Sequence, residues 1–556
     1  MTTEISRGYD EEVPVLIAGG SIVGLSMALF LAWHGIPALL VERHATTSIH
    51  PRAGAMNARS MELFRQVGLE SAIFEQETPP EQLGEMGLRV ESLLGKVLDT
   101  AESVAHQQAS YSNPFASPTR TAMIGQDKLE PLLRRRATAS GSDIRFGTEL
   151  VHFEQVSGGI RAQIRERATG QERRIHAQYL VAADGNRSSI RQQLGIGSYG
   201  YGKLGQWVSI LFHTDLSEVL HGRKLTLCFV NNDSVDGIIG QSQDRWALFA
   251  SVKPKPGERS EAISEARALE LIHAAIGSPD QPVEIISTLP WELASRVTER
   301  YQQERIFLVG DAAHVMSTMG AFGANTGIAD AHNLAWKLAF VLKDKANADL
   351  LATYGQERQP VADLAVGLST TLYAYRLPHL EQRDAIMQSA EEMLLRVRKS
   401  PQTPPPTGFS VISGYRYRSA SVISEDKHDD VLFENEPSGS PGTRAPHVWL
   451  LHNDQQISIL DLYERNPVLL TGSAGQRWHE LFTDAESRFG IAVDVYTIGP
   501  DQKYSDAHST FLSSYGISSS GAVLVRPDGF IAWRAQDVTA YTAETAAQLI
   551  THCLCR

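Results

Sequence analysis

A chain of 556 residues, 42% hydrophobic and 21% charged, has an ordinary globular composition and more length than one core usually serves, so two or three domains are expected. Its formal net charge of -13 gives no general attraction for phosphate backbones or anionic lipid, which argues against nucleic acid and membrane surfaces as partners. Three cysteines, Cys228, Cys553 and Cys555, offer neither a disulfide framework nor a metal-ligand set, and they suit a reducing cytoplasm.

The first residues, MTTEISRGYDEE, lack a basic segment leading into an apolar core, so no signal peptide is expected. No run approaches the roughly 18 apolar residues of a membrane span. Residues 13–18 (VPVLIA) form an apolar run of the kind found in strands buried on both faces. Residues 19–24 (GGSIVG) break it, and residues 25–33 (LSMALFLAW) have helix length. Gly35 ends that helix, and residues 38–41 (ALLV) make a second strand closed by Glu42. This strand–helix–strand unit predicts a dinucleotide-binding α/β fold. Its glycines permit a tight turn and bring backbone N–H groups to a pyrophosphate at the helix N-terminus, although Ser21 stands where the middle glycine is usual. The Glu42 carboxylate is placed to accept ribose hydroxyls. The other reading is a structural turn with a solvated glutamate.

Residues 179–183 (YLVAA), ending in Asp184-Gly185, and 306–309 (IFLV), ending in Gly310-Asp311, read as later strands of the same sheet. Between them, residues 207–212 (WVSILF) and 246–252 (WALFASV) look like strands of a separate sheet. The segment 184–191 (DGNRSSIR) reads by itself as an Asp-Gly turn capping a helix. Gly310-Asp311-Ala312-Ala313-His314 puts an aspartate at a strand end, where it can bind a ribityl hydroxyl. Residues 320–327 (GAFGANTG) then put a glycine-rich loop at the start of a helix, whose dipole would stabilise negative charge on a reduced flavin. That helix is expected over 325–343, with Ile328, Ala331, Leu334, Ala335, Leu338 and Leu342 on one face. His314 follows a buried strand and is expected to be structural. A further helix near 381–399, Pro-rich linkers at 400–408 and 435–446, and a last α/β region complete the chain.

In this order and spacing the three motifs resemble the FAD-dependent aromatic hydroxylases, a family that includes polyketide hydroxylases and phenol 2-monooxygenase-like enzymes. The resemblance runs over nearly the whole chain. It implies a Rossmann-like FAD-binding domain over 1–195 and 295–400, with a β-sheet substrate domain inserted at 196–294. A linker over 401–445 and a thioredoxin-like domain over 446–556 follow, the latter marked by residues 519–534 (SSGAVLVRPDGFIAWR). That domain lacks a C-x-x-C, so dithiol chemistry is not expected. The resemblance assigns Gly19, Ser21, Ile22 and Gly24 to the pyrophosphate loop and Glu42 with Arg43 to the ribose site. It places Arg52 near the pyrophosphate, Gln126 against FAD, and Leu150 on the adenine side through its backbone. Asp184 falls near FAD and the nicotinamide route, and Asp311, Phe322, Gly323, Ala324 and Asn325 fall at the ribityl chain and isoalloxazine. One departure stands out: Ser317-Thr318 replace the usual Pro-Pro, and Ala321 and Ala324 replace common glycines.

The implied activity is NAD(P)H-dependent monooxygenation, in which reduced FAD adds O2 at C4a and the hydroperoxide passes its distal oxygen to an electron-rich aromatic carbon. No separate NAD(P)H-binding unit is visible; NADH or NADPH, and monomer or homodimer, stay open. Trp207, Phe212, Phe229, Trp246, Phe249 and Trp291 are candidate walls for a large aromatic substrate, and each reads equally as core. Arg376, beside Tyr373 and Tyr375, is the candidate catalytic residue, suited to orienting a phenolate or quinone oxygen; the alternative is a solvated surface arginine. No metal is expected. Two other activities remain: Baeyer–Villiger insertion or ring opening on the same fold, and non-catalytic binding of FAD and an aromatic ligand, which the Ser317-Thr318 pair motivates.

Overall fold

The computed structural model describes residues 8–556 apart from 80, 82, 99–116, 221, 243–244, 253–262, 377–381, 399, 401, 425–430, 491 and 507. Most of the segment considered for a signal peptide lies outside the described residues. In chain order the elements used below are β1 (Glu11–Ala18), α1 (Ile22–Trp33), β2 (Ala38–Glu42), α2 (Ala58–Gln66), β3 (Glu85–Val90), α3 (Gln126–Ala139), β4 (Asp143–Phe146), β5 (Thr148–Val156), β6 (Gly159–Glu166) and β7 (Glu172–Ala182). Then come β8 (Ser198–His213), β9 (Leu225–Asn231), β10 (Asp236–Ser242), β11 (Arg245–Ser251), α4 (Glu265–Ile276), β12 (Glu284–Thr298), β13 (Gln302–Gln303), β14 (Ile306–Leu308) and β15 (His314–Val315). Three long helices follow, α5 (Phe322–Leu342), α6 (Asp349–Arg376) and α7 (Arg383–Arg398), then the short α8 (Gly408–Ile412). The C-terminal unit contains β16 (Trp449–His452), β17 (Gln455–Ser458), β18 (Val468–Thr471), α9 (Gln476–Phe489), β19 (Asp494–Thr497), β20 (Ala522–Val525), β21 (Ile531–Ala535) and α10 (Ala543–Cys553).

The first sheet is eight-stranded, with order β13-β14-β7-β1-β2-β4 and the β5–β6 pair attached at β7. β1 lies parallel between β2 and β7, and β14 runs parallel to β7. Val15, Leu16 and Ile17 are fully buried, as expected of a central parallel strand covered on both faces. The second sheet has seven strands, β15-β12-β8-β11-β10-β9-β3. β3 belongs to it by pairing with β9, although its chain position put it in the FAD domain. The third sheet, β19-β18-β20-β21, carries the C-terminal unit and agrees with a thioredoxin-like α/β arrangement.

The stretch 401–445, expected as a linker, is not a free connector: Tyr415, Tyr417, Val422 and Phe433 are buried in the main core. Proline, glycine and serine mark missing regular structure, which here coexists with burial. Helix α7 begins and ends inside the stretch expected, whose outermost residues 381 and 399 are not described. Among the described residues, no helix is long and apolar enough to cross a membrane, and no cluster of His, Cys, Asp and Glu is suited to a metal ion. The three cysteines form no disulfide, and burial pushes the Cys553 thiol up to about 12.

Candidate functional site

The turn from β1 into α1 depends on two glycines. Gly19 has φ +110°, and a Cβ there would stand 2.2 Å from the Ala183 carbonyl oxygen. A Cβ on Gly24 would stand 1.9 Å from the Gly19 oxygen. This close packing seats the first turn of α1 against the end of β7. Ser21 is exposed at the N-cap and makes no capping bond, and Ile22 behind it is buried. The first N–H groups of a helix have no intrahelical partners, so this end suits an anion.

Glu42 closes β2 and accepts the Gly20 N–H at 2.7 Å and the His44 N–H at 2.8 Å. His44 Nδ1 also lies 2.6 Å from Oε1, so three of the carboxylate's roughly four lone-pair sites are engaged and capacity remains for one ribose hydroxyl. Arg43 is exposed, with its carbonyl held by Arg167 at 3.2 Å, and Leu150 is half-buried in β5 against the main core. Gln126 opens α3 and donates to Glu130 at 2.6 Å, while the other Glu130 oxygen accepts the Ser48 N–H at 2.8 Å. Burial pushes the Glu130 carboxyl up, against the Ser48 N–H, Gln126 and Arg52. Glu130 was not singled out in the sequence, although it lies one helical turn from Gln126.

Asp184 accepts the Ile190 N–H at 3.2 Å through one oxygen, while its Oδ1 is buried and has no partner in the chain. An orphaned buried acceptor costs about 1–3 kcal/mol, and a ligand hydroxyl or amide would relieve it. Arg191 ties this motif to the next by donating to the Ala312 and Asn186 carbonyls, both at 3.0 Å. Burial, then the neighbouring Arg296, lowers the Arg191 pKa. Asp311 is open to solvent yet ringed by protein atoms. That surrounding desolvates it and raises its pKa, with His314, Arg52 and Arg296 acting in the opposite direction.

His314 has the structural role expected of it. Its Nε2 contacts Asp330 Oδ2 at 2.7 Å, and Asp330 also accepts the Gly310 N–H at 3.2 Å and Arg358 Nε at 2.7 Å. All three side chains are fully buried. Burial alone would raise the Asp330 carboxyl, but Arg358 and His314 outweigh it and hold it below the usual range. This triad therefore fixes the Gly310-Asp311 turn against α5 and α6.

Helix α5 starts from Ala321, whose left-handed φ of 53° turns the loop into the helix. At two of the positions expected near the flavin the side chain is committed to the protein. Asn325 uses its whole side chain within the protein: Oδ1 accepts the Asn57 N–H at 2.9 Å and the Ser60 hydroxyl at 2.6 Å, and Nδ2 donates to Ala55 and Ala321 carbonyls at 3.1 and 2.8 Å. Phe322 points into the main core. Gly323 and Ala324 are half-buried, so this segment offers a cofactor the backbone N–H groups of a helix start. In place of the usual prolines, the buried Ser317 hydroxyl donates to the Ser369 carbonyl of α6 at 2.8 Å. A hydrogen bond thus tethers the loop that a proline pair would stiffen.

The six aromatic wall candidates divide between the two faces of the second sheet. Trp207, Phe229, Phe249 and Trp291 share one face with Met319, which follows Thr318, and with Tyr373 of α6. Phe212 and Trp246 lie on the other face, buried in a core with α4, and do not line that cluster. Successive strand residues point to opposite faces, so the odd spacing between 207 and 212, and between 246 and 249, already separated them. Arg376 ends α6 with its guanidinium carbon 3.4 Å from the Phe229 ring centroid.

The glycine cradle, the free helix end, the orphaned Asp184 oxygen and the solvent-facing Asp311 fit a flavin dinucleotide. Arg52, exposed, lies within electrostatic reach of Asp311 and Glu130. Sequence comparison matches residues 12–369 to a family described as FAD binding domain and residues 438–554 to one described as aromatic-ring hydroxylase, C-terminal. The chain is 41% identical to a 4-methyl-5-nitrocatechol 5-monooxygenase from Burkholderia sp, covering 100% of both chains. It is 36% identical to the tetracenomycin A2 monooxygenase-dioxygenase of Streptomyces glaucescens, covering 97% of this chain and 95% of the other. Among solved structures, a ternary complex of aklavinone-11 hydroxylase with FAD and aklavinone superposes with a TM-score of 0.87 at 35% identity, covering 98% of this chain and 100% of the other.

Proposed function

The chain belongs to the FAD-dependent aromatic-ring hydroxylases, and from that membership we propose that it oxygenates a phenolic ring held between the second sheet and α6. It is an FAD-dependent monooxygenase that consumes NAD(P)H and O2. When bound, FAD would supply the redox chemistry, passing electrons from NAD(P)H to O2 so that one oxygen atom enters the substrate and the other leaves as water. The observation that carries the substrate position is the apolar face of Trp207, Phe229, Phe249 and Trp291 opposite Met319 and Tyr373. The protein's part is to orient the ring and exclude water. Arg376, stacked on Phe229, is placed to steer an oxygen of the substrate.

The preferred substrate is a large phenol of the polyketide kind. The 41% identity to the nitrocatechol enzyme favours a second reading, a smaller substituted catechol. The Baeyer–Villiger alternative shares the same site. The relatives named as monooxygenases leave the ligand-sequestering alternative without support. We assign the enzyme to the cytoplasm, as a monomer or homodimer.

The deciding measurement is NADPH and NADH oxidation by the FAD-loaded protein against a panel of polycyclic phenols and nitrocatechols, with product masses. Stimulation by one class, with a product heavier by one oxygen, supports the reading, and the product's connectivity separates hydroxylation from ring insertion. Flavin that is never reduced in the presence of any phenol would overturn it.

A further inference from the structure

Behind α5, away from the FAD-facing turn, lies a small, partly open cavity of about 10 Å³. Phe322, Asn325, Thr326 and Ala329 line it, and their spacing puts them on one face of α5. Gly327 points the other way: a Cβ there would meet Val23 and Gly310, at the dinucleotide turn. The cavity is thus separated from the FAD site by the thickness of the helix.

Two side chains on its wall have an unused polar atom. Arg59 gives Nη1 to Glu62 and Nη2 to the Asp528 carbonyl, both at 2.9 Å, and its Nε is buried without a partner. Tyr415 is 2% exposed, and its hydroxyl is likewise buried without a partner. A second guanidinium, Arg358, lines the same space. Each of its three nitrogens has one partner, Asp330, Tyr417 and the Thr326 carbonyl, which leaves one further N–H on each terminal nitrogen. No carboxylate lines the cavity, although Glu62 is paired with Arg59 and Asp330 with Arg358. The rest of the wall is mostly apolar, including Phe322, Ala329 and Val411.

We infer that this cavity is a binding site for a small monovalent anion of chloride size, held by Arg59 Nε–H and the Tyr415 hydroxyl. Both orphaned atoms can donate, and two buried donors with no carboxylate on the wall suit an anion. The small volume and two orphaned donors favour a monatomic ion over an oxyanion, which needs several donors and more room. A neutral water would satisfy the same donors and is the competing occupant.

The test is a bromide soak of crystals of the FAD-loaded protein. An anomalous peak within hydrogen-bond distance of Arg59 Nε and Tyr415 Oη is expected. In parallel, the melting temperature of the FAD-loaded protein should rise with the logarithm of chloride concentration relative to gluconate at equal ionic strength. Tyr415→Phe removes one donor and keeps the ring, and should raise the chloride concentration for half-effect about tenfold, as expected for a hydrogen bond to a charged group. A cavity holding water with no bromide peak overturns the proposal, as does identical melting in chloride and gluconate. If Tyr415→Phe does not fold, the bromide map of the unaltered protein decides alone.

Discussion

Arg526, from the turn between β20 and β21, forks onto Glu357 of α6, with its two terminal nitrogens 2.6 and 2.8 Å from the two carboxylate oxygens. Glu357 also takes Lys337 and Asn333 of α5 at 2.6 and 2.7 Å, and Asp528 takes Asn333 at 3.1 Å. These side chains are buried, so the C-terminal unit is fastened to the helix that begins at the flavin-facing loop. Removing one partner of a buried pair strands the other charge, at a cost of about 3–5 kcal/mol. Arg526→Met should therefore destabilise the protein by about that amount in urea unfolding. A change under about 1 kcal/mol would show that water or a neighbouring group replaces the pair.

Asp311 is exposed and is expected to meet the ribityl chain. Asp311→Ala should weaken FAD binding about tenfold or more, the loss of a hydrogen bond to a charged group, with little change in apoprotein melting. Release of free-flavin fluorescence on dilution measures it. Unchanged retention would move the ribityl contact elsewhere.

Asp363 of α6 accepts the Tyr199 hydroxyl at 2.8 Å, and burial raises its pKa from 3.8 to about 7. A carboxyl raised in the folded state contributes stability below its unfolded pKa and loses it as pH rises through the folded one. Asp363→Asn should match the parent protein near pH 4 and exceed it above pH 7 by on the order of 4 kcal/mol. Denaturation midpoints at the two pH values test this, and a variant equally stable at both would refute it.

His34 shows the opposite sign. Burial first, then Lys343, Arg465 and Lys345, lower its pKa from 6.5 to about 3. The unfolded chain then binds the proton first, so stability present above pH 6.5 is lost as pH falls toward 3. His34→Gln should reduce the proton uptake of unfolding in that window by about one. A pH series of unfolding free energies reads it, and an unaltered slope would show that His34 charges in the folded state.

The dinucleotide unit was legible because a parallel strand covered on both faces must be an unbroken apolar run, and Gly19 and Gly24 stand where two backbones touch. His314 was read correctly from its place after a buried strand. Phe212 and Trp246 were misplaced because aromatic identity was weighed and strand parity was not. The roles of Asn325, Glu130 and the buried tyrosines at 415 and 417 depend on partners up to hundreds of positions away. Local pattern carries no trace of such pairings, which only tertiary packing creates.

The β8–β12 pair has a mechanical consequence. It runs from His213 opposite Glu284 to Ser198 opposite Thr298, and at that end Val297 pairs with His314. One ladder of hydrogen bonds therefore spans from the aromatic face to the dinucleotide turn, with register shifts at Ile285/Ser287, Leu293/Ala294 and Ser295/Val297. A jaw-like swing of one half against the other would have to tear the ladder, so substrate and product must come and go through local rearrangements at its flanks.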